Sequence, residues 1–412
     1  MKTQRTAPLT ILVAALIACG VRTTQRKYLQ LLLTLWLVIP GNYNFTNLAR
    51  YHRTTERTHR KWFQKVMPWV QLGSSLVLQA QDQKILSQKG IVAIDAVFIP
   101  KYGKTTPDLA SFWSGCQQRS LPGLDGSCVT WVDSVTQQPI SLSITQTPAE
   151  LPEGQTRVDF YATTLVNTCV QLPMSLREQI EAVVGDAYYT KKNFIQRVVD
   201  EAQLSFVGKG RKDFNLKHPY TGPRTGKRGR PKVYDGKVSL TDFSRWDAIP
   251  YAAECTVCTT VAYAVSLKRW VRVVALLWPK TGGKGYRLEL LFSTDTNMDA
   301  ATIIRLYRAR FAMEFPFRDG KQFAGLSDCQ SRQTEAIHFH WNMSLLAVTT
   351  ARLRALGNHK TGPFIFSMED EKRRSYNSFF AQRIFSILGH TVKVMEMGES
   401  LRELLRLGVK AA

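Results

Sequence analysis

Residues 90–101 read GIVAIDAVFIPK, an apolar run rich in β-branched side chains that holds a single acid, Asp95. This composition predicts a β-strand, because β-branched residues suit a pleated and packed surface. A carboxylate inside such a strand is costly unless it has a charged partner or a metal. We therefore expect Asp95 to face a charged partner or a metal. The alternative is that Asp95 is a buried, hydrogen-bonded structural residue of the strand.

The segments that follow this strand predict a layered α/β domain. SCVTWVDSV at 127–135 and QPISLSITQT at 138–147 are two more strand-like runs, which makes a three-strand meander. Beyond them we expect helices at 157–172, 174–183 and 191–203, and strands at 182–190, which carries Asp186 at its end, and at 204–210. A meander followed by this alternation indicates a mixed sheet flanked by helices. Asp186 would then lie at the sheet edge, unless it caps the following helix.

The N-terminal 80 residues show helical spacing with little strand character. Within them, 44–65 predicts a helix, a short turn and a second, basic helix, with Thr46 and Thr54 or Thr55 as caps. Arg57, Arg60 and Lys61 lie on that second helix, which suits docking on DNA. A solvated charged helix is the alternative for this segment.

Two apolar runs near the N-terminus, at 9–20 and 31–40, are predicted to be buried helices. The first ends in Leu-Ile-Ala-Cys at 16–19, so an exported lipoprotein acylated on Cys19 is an alternative. The second is too short to span a bilayer.

Charge and cysteine content narrow the class of protein. The 412 residues carry a formal charge of +23, which indicates a polyanionic partner, with nucleic acid ahead of an anionic membrane. The seven Cys are scattered and odd in number, so we expect a reducing cytoplasm rather than a disulfide framework. Cys255 and Cys258 are spaced like half a zinc site but are expected to be buried strand thiols.

A very basic segment separates two parts of the chain. Residues 209–232 contain nine Lys or Arg, and the core KRGRPK at 227–232 is similar to a minor-groove AT-hook segment. This pattern points to Arg228, Arg230 and Lys232 as DNA contacts, although a basic flexible loop fits equally well. The following block, 233–294, is β-rich, and helical spacing returns from Met298.

That helical region contains YRARFAMEFPFRDGK at 307–321. If it is one helix with Tyr307 at zero, Arg310 falls at roughly −60°, Glu314 at roughly −20° and Lys321 at roughly −40°. One carboxylate would then share a face with three side chains that bind phosphate oxygens, as phosphodiester chemistry requires. Glu314 could instead simply pair with Arg310 or Arg318 on its own helix.

These residues resemble the DDE transposases of bacterial insertion sequences, in the group with a Tyr-Arg-Glu-Lys signature. Tyr307, Arg310, Glu314 and Lys321 match that signature in spacing, and IDAVFIPKYGKTT and VVGDAYYTKKNF resemble its first-Asp and second-Asp segments. The similarity covers about residues 90–390. It implies an RNase H-like catalytic domain of the integrase superfamily with a β-rich insertion between the second Asp and the Glu.

The resemblance also implies the chemistry. Two Mg²⁺ (or Mn²⁺) ions would be held by Asp95, Asp186 and Glu314, and would support cleavage at inverted-repeat ends and strand transfer into target DNA. The implied DNA contacts are Tyr307, Arg310 and Lys321, and we add Lys101 and Lys104 from the first-Asp segment. The partner would be double-stranded DNA, bound by a homodimer because two ends must be handled together.

The predicted domains are a helical DNA-binding domain at 1–85, the first catalytic part at 88–208, the basic segment with the β-rich insertion at 209–294, the second catalytic part at 295–356 and a basic helical tail at 357–412. Pro316, two residues after Glu314, is a departure from the family pattern. A Pro inside a helix costs about 3 kcal/mol and can kink it, which would move Lys321 off the shared face. The alternative function is therefore a catalytically inactive, transposase-derived DNA-binding protein.

Overall fold

The structure is a computed structural model that describes residues 7–223, 230–252, 254–280, 282, 285–359, 361–388, 403 and 405–409. The α-helices are α1 (Ala7–Ala18), α2 (Thr23–Val38), α3 (Phe45–Tyr51), α4 (Glu56–Phe63), α5 (Trp69–Asp82), α6 (Arg157–Gln171), α7 (Met174–Arg177), α8 (Lys192–Asp200), α9 (Ala300–Ala309), α10 (Glu314–Phe323), α11 (Thr334–Asn358) and α12 (Met368–Ile387). The strands are β1 (Gly90–Pro100), β2 (Ala110–Ser114), β3 (Arg119–Asp133), β4 (Pro139–Gln146), β5 (Ile180–Gly185), β6 (Phe206–Gly210), β7 (Leu216–Pro219), β8 (Tyr234–Lys237), β9 (Asp247–Ala252), β10 (Cys255–Ala264), β11 (Arg269–Pro279) and β12 (Tyr286–Ser293).

A mixed sheet forms the centre of the protein. Its middle part has the order β4-β3-β1-β5-β6, in which β1 is antiparallel to β3 and parallel to β5. β6 continues the parallel direction beside β5. Three antiparallel strands followed by two parallel ones confirm the mixed α/β sheet that the sequence predicted.

The β-rich block extends this sheet. β12 pairs antiparallel with β6, and β11 and β10 follow outward in antiparallel order, with β7 and β8 beyond them. Cys255 and Cys258 both lie in β10 and both are buried, as predicted. Because they are three residues apart on a strand, their side chains belong to opposite faces of the sheet.

Both faces of the sheet are covered, which explains the continuous apolar run of β1. Val92 and Ile94 belong to one buried cluster, whereas Ile91 and Ala93 belong to the other. Side chains alternate between the faces of a strand, so a strand covered on both sides needs apolar residues at every position. Helices α1, α2, α5, α6, α8 and α11 contribute to the first cluster, and α9, α10 and α11 contribute to the second.

The N-terminal apolar runs form buried helices, as predicted. In α2, Leu32 and Trp36 have no exposed surface, and α1 packs against α5 and α11. Within the described part of the chain, none of the helices combines the length and apolar character needed to cross a bilayer.

The helix-turn-helix pattern is present as α3 and α4, with one capping residue predicted wrongly. Asn44, rather than Thr46, caps α3 by accepting from the backbone N–H of Asn47. Thr46 lies inside the first turn, where its side chain cannot serve as the N-cap. Thr55 caps α4 as expected, through the N–H of Thr58.

Two further predictions about secondary structure were wrong, and one strand was missed. The helix expected at 174–183 is the single turn α7, because the chain enters β5 at Ile180. Strand β2 was not predicted and pairs with the first half of β3. Residues 307–321 are not one helix, since a 3₁₀ turn at Arg310–Met313 separates α9 from α10.

Candidate active site

Asp95 and Asp186 lie at corresponding positions on neighbouring parallel strands. The β1–β5 register pairs Ala93 with Val184, and each Asp follows its strand's member of that pair by two residues. Neighbouring strands are about 4.8 Å apart, so the register brings the two carboxylates to the same part of the sheet. Asp186 does not cap α8, whose N-cap is Lys191; it accepts from the N–H of Tyr188 at 2.8 Å.

Glu314 lies near Asp95 although it is more than 200 residues further along the chain. The side chain of Arg310 joins it to the first strand: one terminal nitrogen lies 3.2 Å from Asp95 Oδ2, and the other lies 3.9 Å from Glu314 Oε1. The Arg310 side chain is 13% exposed, so its guanidinium group is largely shielded from water. The 3₁₀ turn that carries Arg310 also contacts β1 and β3. Residues far apart in the chain therefore converge around one guanidinium group.

The electrostatics of Asp95 reflect this convergence. Burial raises the pKa of Asp95 to about 7, the Arg310 guanidinium opposes that rise, and the carboxylates of Asp186 and Glu314 add to it. A quarter of the side-chain surface of Asp95 still faces solvent, so the carboxylate is accessible. Carboxylates that raise one another's pKa form a site that favours a bound cation.

Pro316 does not interrupt a helix. Because α10 begins at Glu314, Pro316 lies in its first turn, where a backbone N–H has no intrahelical acceptor in any case. The kink expected from the sequence is replaced by the break at Arg310–Met313, so the cost of a Pro in a helix interior does not apply.

Tyr307 and Lys321 lie on different sides of that break. The guanidinium of Arg310 is 5.8 Å from the centroid of the Tyr307 ring, and burial raises the pKa of Tyr307 to about 12. Lys321 is exposed at the far end of α10, in a groove that Tyr43 and Lys372 also line. Surrounding protein atoms lower the pKa of the Lys321 ammonium group. The single face expected for all four residues assumed a continuous helix, which is not present.

The other predicted DNA contacts are spread over the surface. Lys104 is exposed, whereas Lys101 is partly buried and donates to the carbonyl of Cys329. Arg230 is exposed, Lys232 is exposed and pairs with Asp235 at 3.0 Å, and Arg228 lies outside the described residues.

The basic side chains of α4 are also exposed. Arg57, Arg60 and Lys61 face solvent, and Arg60 lies 4.0 Å from Glu56. The opposite face of α4 is buried through His59 and Phe63, and the helix packs against α11. In the described structure, none of these three cations has an ion pair with Asp95, Asp186 or Glu314.

Two buried polar groups at the site were not predicted. Tyr189 is 1% exposed, and its hydroxyl has no hydrogen-bond partner among the described residues. Burial raises the pKa of Tyr189 well above its usual value, and the negative charges of Asp95 and Asp186 add to the rise. The Nε–H group of Arg310 is likewise buried without a described partner. The sequence signal for Tyr189 was its position three residues after Asp186.

The donor chemistry of the site fits a divalent cation, but the side chains are not yet arranged as a ligand cage. Three carboxylates with oxygen donors are the ligand type that Mg²⁺ prefers. Among the described residues, however, no three His, Cys, Asp or Glu side chains are grouped so that they could hold a metal ion. The positive charge between Asp95 and Glu314 is that of Arg310.

Comparison with known proteins gives one family match. Residues 2–270 match the family model described as DDE superfamily endonuclease, a range that includes Asp95 and Asp186 and ends before Glu314. No curated protein matches the chain. Among solved structures, the cryo-EM structure of the piggyBac transposase synaptic complex with hairpin DNA aligns over 97% of this chain and 82% of that chain, with 10% identity and a TM-score of 0.40. A likeness of that size does not bear on function.

Proposed function

Because the chain belongs to the DDE superfamily endonucleases, we propose that it is a transposase of the bacterial insertion-sequence type, in the group with the Tyr-Arg-Glu-Lys signature. It would cut DNA at inverted-repeat ends and join those ends to target DNA. The observation that supports this most is the bridge from Asp95 through Arg310 to Glu314, since it joins the first-Asp strand to the Glu helix.

Asp95, Asp186 and Glu314 are the proposed ligands of two Mg²⁺ or Mn²⁺ ions, and DDE superfamily endonucleases generally use divalent metal ions. Such ions supply the charge that activates water or a DNA 3′-hydroxyl and that stabilises the leaving oxygen. The chain's own part is to present three carboxylates from two strands and one helix and to shield them.

Tyr307, Arg310 and Lys321 are the proposed phosphate-binding residues. Arg310 already lies beside two of the carboxylates, so a phosphate that it binds would be held next to them. The partner is double-stranded DNA, which the charge of +23 favours, and the DNA complex is expected to contain two copies of the chain in a bacterial cytoplasm.

A cleavage assay tests this function. The substrate is a supercoiled plasmid that carries the coding region with its natural flanking DNA, incubated with Mg²⁺ or Mn²⁺. We expect nicks or breaks at the flanks, and a loss of about 10³-fold or more in Asp95→Asn, Asp186→Asn and Glu314→Gln, since each removes a charged ligand. The matched controls Asp82→Asn and Glu150→Gln change exposed acids and should keep the wild-type rate.

A catalytically inactive DNA-binding protein is the second candidate. It is favoured by the absence, among the described residues, of a ready-made group of metal-binding side chains. The two candidates separate in the same assay: cleavage that survives all three substitutions refutes the assigned site, and tight binding of flanking DNA without any metal-dependent cleavage supports the inactive protein.

A further inference from the structure

A 3₁₀ turn separates the helix that carries Glu314 from the helix before it. α9 ends at Ala309, the 3₁₀ turn occupies Arg310–Met313, and α10 begins at Glu314 itself. A 3₁₀ segment between two α-helices interrupts their regular hydrogen-bond ladder and is a common place for a hinge. Apart from the Arg310–Glu314 contact, the orientation of α10 therefore depends on contacts that this helix makes elsewhere.

Several of these contacts lie at the opposite end of α10. The last carbonyl groups of a helix have no intrahelical donor and need partners from outside. The Phe323 carbonyl oxygen accepts from the Lys372 ammonium group at 2.9 Å, and it shares the Tyr43 hydroxyl, at 2.8 Å, with the Trp36 carbonyl oxygen, at 2.9 Å. The next carbonyl, that of Ala324, accepts from the indole N–H of Trp36 at 2.9 Å. We call these three donors, Trp36, Tyr43 and Lys372, the C-terminal clamp.

Two residues of the clamp are buried, and the third, Lys372, carries the positive charge that suits a helix C-terminus. Trp36 has no exposed surface and Tyr43 is 4% exposed. The Lys372 ammonium group also donates to the Ile39 carbonyl at 2.9 Å and to the Tyr43 hydroxyl. A cation at this end stabilises the helix through its dipole. Each donor therefore has a directional role that an apolar contact would not reproduce.

Packing around Gly325 makes the clamp tight. Gly325 follows α10 with φ +63°, and a Cβ there would lie 2.2 Å from the Tyr43 ring. The ring consequently rests directly on the backbone, which fixes the distance between segment 39–43 and the end of α10. A left-handed Gly at this position is the usual way for a helix to end.

We infer that Tyr43 and Lys372 are positioning residues for Glu314, and that they act by holding the C-terminus of α10. This inference rests on the proposed role of Glu314 as a metal ligand. Nine residue steps separate Phe323 from Glu314, about 13 Å of rigid helix, so a shift at one end is carried to the other. Because Trp36 and Tyr43 belong to the N-terminal helical region, the seating of that region on the sheet becomes a condition for a competent Glu314.

The test compares three variants of the full-length protein. Tyr43→Phe removes the hydroxyl and keeps the ring on Gly325, and Lys372→Met removes the charge and keeps the side-chain length. Tyr376→Phe is the matched control, since Tyr376 lines the same groove and its hydroxyl makes no hydrogen bond among the described residues. The readouts are the Mn²⁺ dissociation constant from electron paramagnetic resonance, the single-turnover rate of plasmid cleavage and the melting temperature.

We expect Mn²⁺ binding to be about 10-fold weaker in Tyr43→Phe and in Lys372→Met, with a similar loss in cleavage rate, because losses of this size are typical of residues that orient metal ligands. Tyr376→Phe should change neither quantity. In a Glu314→Gln background, Tyr43→Phe should have no further effect on Mn²⁺ binding. A wild-type dissociation constant in both clamp variants, while Glu314→Gln weakens binding, overturns the clamp inference alone. No effect of Glu314→Gln itself refutes Glu314 as a metal ligand and removes the basis for the clamp. Should Lys372→Met fail to fold, Tyr43→Phe decides the matter by itself.

Discussion

Replacing Asp319 by Leu should destabilise the protein by about 3–5 kcal/mol, because it leaves a buried arginine without its counter-ion. Asp319 lies in α10, has 2% of its side chain exposed and accepts from Arg352 of α11 at 3.3 Å. The Arg352 side chain is 7% exposed, and burial lowers its pKa to about 10, although the Asp319 charge opposes that shift. This ion pair anchors the middle of the helix that carries Glu314.

Removing Asp319 and removing Arg352 should lower the free energy of unfolding by different amounts. Without Asp319, Arg352 keeps, among the described residues, a hydrogen bond to Gln138 at 3.4 Å and the face of the Phe366 ring at 4.2 Å. Without Arg352, Asp319 keeps two contacts from the half-exposed Arg318, at 2.9 and 3.1 Å. Arg352→Met should therefore cost about 1–3 kcal/mol, less than Asp319→Leu. The double variant Asp319→Leu/Arg352→Met should lie within about 1–2 kcal/mol of the wild type, because no unpaired buried charge remains.

Urea unfolding followed by tryptophan fluorescence measures these differences as changes in the free energy of unfolding. The double-mutant cycle gives the coupling between the two residues directly. The reasoning is refuted if Asp319→Leu costs less than about 1 kcal/mol, or if the double variant loses the sum of the two single losses. Exchange of Asp82, which is exposed at the end of α5, for Leu is the control for adding an apolar residue.

Three further outcomes follow from the structure. Pro316→Ala should change the free energy of unfolding by no more than about 1 kcal/mol, since no helical hydrogen bond is restored; a gain of about 3 kcal/mol would place Pro316 inside a helix after all. Burial lowers the pKa of His340 from 6.5 to about 4, and its Nε2–H donates to the Gly325 carbonyl oxygen at 2.7 Å. Because the folded pKa is depressed, the contribution of neutral His340 to the free energy of unfolding is complete above pH 6.5, and about 3 kcal/mol of it is lost as the pH falls to 4. Urea unfolding across this range should therefore show a flatter pH dependence of stability in His340→Gln than in the wild type. An unchanged slope would contradict this role of His340. Arg57→Ala and Lys61→Ala should each weaken binding of flanking DNA and lower the slope of log affinity against log salt by about 0.9, in a fluorescence anisotropy titration; equal slopes would remove α4 from the DNA contacts.

The positions of Asp95 and Asp186 in the fold were predictable from the sequence. Each lies in or directly after a run of β-branched residues, and a run of that kind has few alternatives to a buried strand. Their side-by-side arrangement was not predictable, because it depends on the parallel register of β1 and β5. No local sequence pattern predicts the register between two strands that lie roughly 90 residues apart in the chain.

The clamp shows a second limit of sequence reasoning. Tyr43 and Phe323 are 280 residues apart, and their contact joins a side-chain hydroxyl to a backbone carbonyl. Backbone groups look the same in every residue, so nothing at position 323 marks it as an acceptor for Tyr43. Even Gly325, whose left-handed backbone ends α10, indicates only that a helix stops and not what is packed against its end.

The break before Glu314 was hidden by the assumption of one continuous helix, although Pro316 gave the necessary signal. A Pro two residues after the functional Glu has two physical interpretations: a costly interruption of a helix, or the first turn of a new one, where its fixed φ is favourable. The angles calculated for residues 307–321 were compatible only with the first. The structure adopts the second interpretation, and this changes which contacts hold Glu314 in place. In one continuous helix, α9 would set the orientation of the Glu314 segment. In the structure, the orientation of α10 depends on Arg352 at its middle and on the clamp at its end.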